Sequence, residues 1–226
     1  MRKYIASFLQ RLFFVPIRFY LWYVGYQVIG GENIDKIPKD KPLIIVSNHT
    51  TVLDPIYAVG AFPLFSHFIP VHFVALKREE YTEIGRLKYI TDSWFFRLFG
   101  TYPAILRTRN YEKALPSHIN FLAHKLTVAI FPEGQINRSN QLLNPARSGV
   151  SYLAWRSRAT ILPIGFKYTK RVRPIESEGA DHPVSAIVGK PFNFEELGGS
   201  YEKEYARDEH KKFAEIILNR VARLLQ

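Results

Sequence analysis

The stretch PLIIVSNHTTVLDPIYAVGAF, residues 42–62, decides the fold. It opens with PLIIVSN, a short β-branched and apolar run that predicts a buried strand. It closes with DPIYAVGAF, in which Asp54 is suited to cap a helix and Pro55 to take the first helical position. The stretch therefore predicts a strand, a loop and a helix over about residues 55–65. Loops at such strand ends commonly present reactive side chains.

The loop NHTTVLD, residues 48–54, places His49 five positions before Asp54. On an unbroken helix, five steps of about 100° leave two side chains roughly 140° apart. The two side chains can therefore meet only if the chain turns between them. Because the flanking residues predict such a turn, His49 and Asp54 form a candidate reactive pair.

The rest of the chain repeats this organisation. Mostly continuous apolar runs predict strands covered on both faces, with helix-length segments between most of them. The alternation predicts an α/β fold with a central, mostly parallel sheet flanked by helices. Further strands are predicted at VHFVAL, TYPAIL, LTVAIF, TILPIGF and VSAIVGK, helices over about residues 82–99, 110–124 and 146–157, and a final docked helix near the carboxyl end.

Composition narrows the function. The chain of 226 residues has no cysteine, which excludes disulfides, a thiolate nucleophile and cysteine metal sites. Its net charge of +11 predicts a partner with negative charge, such as nucleic acid, anionic lipid or a phosphorylated small molecule. No zinc-ligand spacing, helix-turn-helix signature or RNA-recognition aromatic motif is present, which argues against nucleic acid.

The first 29 residues differ from the rest and are predicted as a separate amphipathic segment at a membrane interface, before an α/β domain over residues 30–226. They carry Arg2, Lys3, Arg11 and Arg18, no acidic residue, and many large apolar and aromatic side chains. Polar residues interrupt the apolar run, so no stretch reaches the roughly 20 apolar residues that span a bilayer. The alternative is a helix that packs on its own domain.

Two further blocks contain residues suited to binding. FPEG, residues 131–134, follows the predicted strand LTVAI; its Pro132 and Gly134 predict a turn that directs Glu133 into the same cleft as His49. GTYPAILRTR, residues 100–109, delivers Arg107 and Arg109, whose guanidinium groups are suited to phosphate.

At the level of these blocks the chain resembles the glycerolipid acyltransferases typified by lysophosphatidic acid acyltransferase. NHTTVLDP is similar to the first family motif, GTYPAILR to the second, FPEG to the third and ILPI to the fourth. QVIGGENI before the first motif and ARSGV after the third also resemble family sequence.

The resemblance implies transfer of a fatty acyl group from acyl-CoA or acyl carrier protein to a lysophospholipid hydroxyl, most directly that of 1-acyl-glycerol-3-phosphate, without a metal or cofactor. It implies that His49 is the general base and that Asp54 holds its imidazole. The substrate-binding residues it implies are Arg107 for the acceptor phosphate, Glu133 and Gly134 for the acceptor site, Pro163 for a pocket wall and Arg147 as a basic residue after the third motif.

The third motif departs from the family pattern, because FPEGQINRS has Ile136 where an arginine is expected. Arg138 substitutes for it through a longer turn, or the acceptor differs from lysophosphatidic acid. Arg109 competes with Arg107 for the phosphate, and Lys77 either attracts phosphate or the acyl carrier or is simply solvated.

A non-enzymatic lipid-binding protein on the same fold is the alternative function, but it would not need the His49 and Asp54 pair. The basic amino-terminal flank predicts a peripheral or monotopic protein on the cytoplasmic face of a membrane. The other six histidines are interpreted as structural or surface residues: His67, His72, His118, His124, His182 and His210.

Overall fold

One sheet organises the part of the chain described by the computed structural model, which covers residues 8–75, 100–105, 108, 110–168 and 183–226. Within these residues, seven strands lie in the order β1-β7-β6-β2-β5-β3-β4. Every neighbouring pair is parallel except β6 with β7, so the predicted α/β class is confirmed. The strands are β1 Gln27–Ile29, β2 Leu43–Ser47, β3 Val71–Ala75, β4 Thr101–Pro103, β5 Thr127–Ile130, β6 Thr160–Tyr168 and β7 Pro183–Val188.

The six strands predicted from apolar runs are all present, whereas β1 was not predicted. It has only three residues and ends where the proposed amino-terminal segment ends. A run this short carries no periodic signal, and it is a strand because it pairs with β7.

The described helices cover both faces of the sheet. The helix predicted over 110–124 is wrong as a single element, because it breaks at Leu115, where Pro116 disfavours helical geometry in the preceding residue. The helix predicted over 55–65 ends earlier, at Gly60, and the one predicted over 82–99 lies outside the described residues. The helices are α1 Phe14–Tyr23, α2 Asp54–Gly60, α3 Tyr111–Ala114, α4 Pro116–Ala123, α5 Gly149–Ser157 and α6 Arg207–Leu225.

Strand β2 lies at the centre of the core. Its side chains alternate between the two faces, so Leu43 and Ile45 join one buried apolar cluster while Ile44 and Val46 join the other. The first cluster contains α1 and α2 residues and the second contains α4, α5 and α6 residues. Because both faces are covered, the strand is apolar at successive positions rather than alternating.

The amino-terminal helical segment, made of the helical residues 8–12 and of α1, is fixed to the domain by its polar side chains. The Gln10 amide donates to the Val71 carbonyl and accepts from the Val71 N–H, at 2.8 and 2.9 Å. The Arg11 guanidinium donates to carbonyls in the 64–69 loop, and that of Arg18 donates to the Gly60 carbonyl at the end of α2. Both arginines therefore bind backbone carbonyls of their own domain.

One face of this segment is apolar and exposed. Large side chains recur every three or four residues along it, with Trp22 74% and Phe19 68% exposed. None of the described helices is both long and apolar enough to cross a bilayer. We call this stripe the apolar outer face, and it consists of Phe8, Leu12, Val15, Phe19 and Trp22.

Two buried histidines lie between the sheet and α4. The His72 ring donates from Nδ1 to the Thr127 carbonyl and the His118 ring donates from Nε2 to the Phe73 carbonyl. The second nitrogen of each ring is buried and has no partner among the described residues. Burial lowers the pKa of His72, and it lowers the pKa of His118 to about 4.

Replacing His118 by leucine should remove part of the acid sensitivity of the fold. The pKa of His118 is lower in the folded state than in the unfolded state, so the unfolded chain binds the proton more readily and stability falls below pH 6.5. Between pH 7 and about pH 4.5, the titration of His118 should lower the free energy of unfolding by roughly 2–3 kcal/mol, at about 1.4 kcal/mol per pKa unit. Urea unfolding at both pH values measures it, with His124→Leu at an exposed position as the control. An equal acid loss in wild type and His118→Leu would contradict this account.

Candidate active site

Asn48 follows strand β2, which ends at Ser47, and starts the loop that carries the reactive pair. Its side-chain amide donates to the Phe166 carbonyl at 3.1 Å and accepts from the Phe166 N–H at 2.8 Å. The side chain therefore takes the place of backbone pairing with β6. The chain turns away from the sheet at the next residue, which is His49.

His49 and Asp54 meet as predicted. The ring Nδ1 of His49 lies 2.7 Å from Oδ2 of Asp54. Asp54 was expected to cap α2, but it is the first residue of that helix, and Leu53 holds the cap position. The carboxylate turns back towards the residues before it, which is why it reaches His49.

The Asp54 carboxylate is fully buried and surrounded by donors. Its Oδ2 accepts from the N–H groups of Thr50 and Thr51 at 2.8 and 3.0 Å, as well as from His49. Its Oδ1 accepts from the Thr51 hydroxyl at 3.0 Å and from the Tyr168 hydroxyl. Because a buried charge is costly unless it is hydrogen-bonded, these contacts maintain the carboxylate in place.

The His49 ring is oriented by contacts on its edge and on its face. It stacks on Phe131 with the ring centroids 4.2 Å apart, and its side chain remains 19% exposed. A carboxylate only accepts hydrogen bonds, so Nδ1 carries the proton and Nε2 has a free lone pair. The geometry leaves Nε2 as the basic atom of the pair.

The FPEG turn holds the His49 backbone. Glu133 is buried, and its Oε1 accepts from the His49 N–H at 2.9 Å while its Oε2 accepts from the Asn144 N–H at 2.7 Å. The Asn137 N–H donates to the His49 carbonyl at 2.6 Å. Burial raises the pKa of the Glu133 carboxyl, an effect that these two N–H donors partly oppose. The predicted proximity of Glu133 and His49 is present, with both carboxylate oxygens engaged by backbone.

Gly134 and Arg147 pack against each other beside this turn. Gly134 has a φ of 69°, and its N–H donates to the Phe131 carbonyl. A Cβ at this position would lie 2.3 Å from Nε of Arg147, so the glycine provides both the turn and the space for that side chain. The Arg147 N–H donates to the Pro132 carbonyl, which places an exposed guanidinium across the turn.

The other predicted binding residues fall in different places. Arg138 is exposed on the loop that follows Asn137. Pro163 pairs with Val46 inside β6, so it does not lie on an edge strand; the β6–β7 ladder ends there, with the Gly189 N–H bonded to the Pro163 carbonyl. Arg107, Arg109 and Lys77 lie outside the described residues.

The sequence interpretation missed several residues of the site. Asn48 and Thr51 belong to the reactive loop itself, whereas Tyr168 contacts it from β6. Tyr168 is 114 positions from Asp54, so no local spacing indicates it. Among the described residues, no group of three or more His, Asp and Glu side chains is suited to holding a metal ion.

Comparisons with known proteins give the family of the chain. A family model described as Acyltransferase matches residues 28–167. The chain is 26% identical over 148 residues to a Mycoplasma genitalium protein and 24% identical over 154 residues to one from Mycoplasma pneumoniae, both named "Probable 1-acyl-sn-glycerol-3-phosphate acyltransferase". Each match includes 66% of this chain and 52% of the relative, so the chain spans about half the length of these relatives.

The fold is also similar to a solved structure. The crystal structure of the 1-acyl-sn-glycerophosphate (LPA) acyltransferase PlsC from Thermotoga maritima superimposes with a TM-score of 0.56 at 20% identity. The match covers 99% of this chain and 79% of that one. At this level of identity the likeness establishes the shared fold.

Replacing Glu133 by glutamine should loosen the His49 loop. A glutamine amide has one acceptor oxygen, so its NH₂ group would face one of the two backbone N–H groups, and this should cost about 1–3 kcal/mol of unfolding free energy. Hydrogen exchange should show lost protection at the His49 or Asn144 N–H. Glu215→Gln is the matched control, because within the described part of the chain Glu215 accepts one N–H from the same loop, that of Ala146. Wild-type protection of both amides in Glu133→Gln would contradict the proposed constraint.

Proposed function

Because the chain belongs to the acyltransferase family, we propose that it transfers a fatty acyl group from a thioester donor to a lysophospholipid hydroxyl, with 1-acyl-glycerol-3-phosphate as the leading acceptor. The donor is acyl-CoA or acyl carrier protein. The observation that carries the proposal is the 2.7 Å contact between His49 Nδ1 and the buried Asp54 carboxylate, which leaves Nε2 as a base. The name of the two Mycoplasma relatives supports the choice of acceptor.

The reaction needs a base because an alcohol is a poor nucleophile at neutral pH. Nε2 of His49 takes the proton of the acceptor hydroxyl as the oxygen attacks the thioester carbonyl. The new C–O bond forms, the C–S bond breaks, and the imidazolium returns the proton to the departing thiolate, giving a free thiol. Asp54 maintains the tautomer of the ring and stabilises the imidazolium, as in a triad in which the substrate supplies the hydroxyl.

Cationic side chains on the loop after FPEG are proposed to bind the acceptor phosphate. Arg147 lies across Gly134, and Arg138 follows Asn137, whose N–H binds the His49 carbonyl. Both therefore belong to a loop that is bonded directly to the reactive histidine. This placement supports the proposal that these two arginines compensate for Ile136, which stands where the family pattern has an arginine. Arg107, Arg109 and Lys77 remain proposed phosphate or donor contacts, and Pro163 a proposed pocket wall.

Thiol release tests the activity directly. Because the chain has no cysteine, a thiol reagent reads only the thiol freed from acyl-CoA. We expect release with lysophosphatidic acid to exceed release with lysophosphatidylcholine or glycerol 3-phosphate. His49→Ala should lower the rate by about 10²–10⁴, the contribution of a general base, whereas the exposed control His124→Ala should not. Near-normal turnover by His49→Ala would refute the base. A protein that binds lipid but frees no thiol with any acceptor would be a lipid-binding protein.

We also propose that the apolar outer face rests in the surface of a membrane. Its aromatic side chains are suited to the headgroup region. Arg11 and Arg18 bind carbonyls of the domain, and none of the five residues of the apolar outer face is charged. The net charge of +11 supports a preference for anionic lipid, and the proposed location is the cytoplasmic leaflet.

Vesicle flotation tests this surface. Phe19→Ser combined with Trp22→Ser should reduce the bound fraction by at least about tenfold, because both exposed rings lose apolar contact with lipid. Ile216→Ser is the control, since Ile216 is an exposed apolar residue on α6. Vesicles with and without an anionic lipid separate the apolar and electrostatic contributions. Flotation of the double variant at the wild-type level would contradict the assignment.

A further inference from the structure

Tyr168 is the last residue of β6 and lies beyond the four sequence blocks and the matched family region, which ends at residue 167. Strand β6 is parallel to β2, with Ser47 in register with Ile164. Tyr168 is therefore carried past the end of β2 to the level of the reactive loop. A register shift between Lys167 and Tyr168 marks the end of regular pairing with β7. Its hydroxyl donates to Oδ1 of Asp54.

The two Asp54 oxygens have different partners. Oδ2 accepts only N–H groups, including that of the His49 ring, whereas Oδ1 accepts two hydroxyls, those of Thr51 and Tyr168. Thr51 belongs to the loop itself and moves with it. Tyr168 belongs to the sheet, so its hydroxyl connects the carboxylate to the rigid part of the fold.

We propose that Tyr168 is a positioning residue for acyl transfer. Its hydroxyl fixes the Asp54 carboxylate so that Oδ2 faces His49, and it limits the negative charge on Oδ2. This inference rests on the function proposed above. Tyr168 touches neither the substrate nor the reacting atoms in this role and acts through Asp54. A phenol held beside a buried carboxylate remains a donor, and burial followed by the Asp54 charge raises the pKa of Tyr168.

The pH dependence of acyl transfer depends on the titratable groups that surround Asp54. Among the described residues, the titratable groups that face it are His49 on its own loop, Glu133 on the FPEG turn, Tyr57 within α2 and Tyr168 on β6. Tyr168→Phe removes one donor from Oδ1 and leaves the others in place. More negative charge then remains on the carboxylate, which favours the protonated imidazole.

The test is the pH dependence of acyl transfer by Tyr168→Phe. We expect kcat to fall about tenfold, the order of one hydrogen bond to a charged group, with the KM values of donor and acceptor unchanged. The acid limb of the kcat profile should move to higher pH. Tyr26→Phe is the matched control, because the Tyr26 hydroxyl donates to the Tyr57 carbonyl of the same helix and does not contact Asp54.

The outcomes separate this inference from the proposed function. If His49→Ala abolishes transfer while Tyr168→Phe matches Tyr26→Phe in kcat and acid limb at similar thermal stability, the positioning role is overturned and the base is retained. If His49→Ala remains active, the proposed base fails, and if the wild type frees no thiol with any acceptor, the proposed function itself fails. A lower kcat with a displaced acid limb in Tyr168→Phe alone supports the assignment.

Discussion

A carboxylate with no solvent exposure lies at the start of α2, and the reactive loop is built around it. Asp54 has lost its water, so protein donors must replace the water around both oxygens. Two of these donors are the backbone N–H groups of Thr50 and Thr51, which can reach the carboxylate only if the chain folds back over it. The same turn of the chain brings the His49 ring into hydrogen-bond contact with the carboxylate. The pairing of imidazole and carboxylate therefore follows from the burial of one charge.

The sheet topology then sets what surrounds this loop. Strand β2 lies between β5 and β6, and all three run parallel, so their carboxyl ends meet at one edge. From β2 comes the His49 loop, from β5 the FPEG turn that holds the His49 backbone, and from β6 the Tyr168 hydroxyl. Residues far apart in sequence converge because parallel strands deliver them to the same level. The amino-terminal segment is connected to the site through α2, because the Arg18 guanidinium donates to the Gly60 carbonyl at the end of that helix.

The sequence predicts the features that depend on local pattern. The strands follow from continuous apolar runs, and the approach of His49 to Asp54 follows from a predicted turn between them. Other features depend on tertiary contacts and have no local signal. Tyr168 joins the site only through the parallel pairing of β6 with β2. The binding of Arg11 and Arg18 to backbone carbonyls of the 64–69 loop and of the end of α2 likewise depends on tertiary contacts.

A structure of the protein with lysophosphatidic acid and a non-reactive acyl-CoA analogue would test the central claim most directly. We expect the free hydroxyl of the acceptor to lie within hydrogen-bond reach of His49 Nε2, at about 2.6–3.2 Å, while Nδ1 keeps its contact with Asp54. An acceptor hydroxyl bound away from this ring, or a ring turned so that Asp54 contacts neither nitrogen, would contradict it.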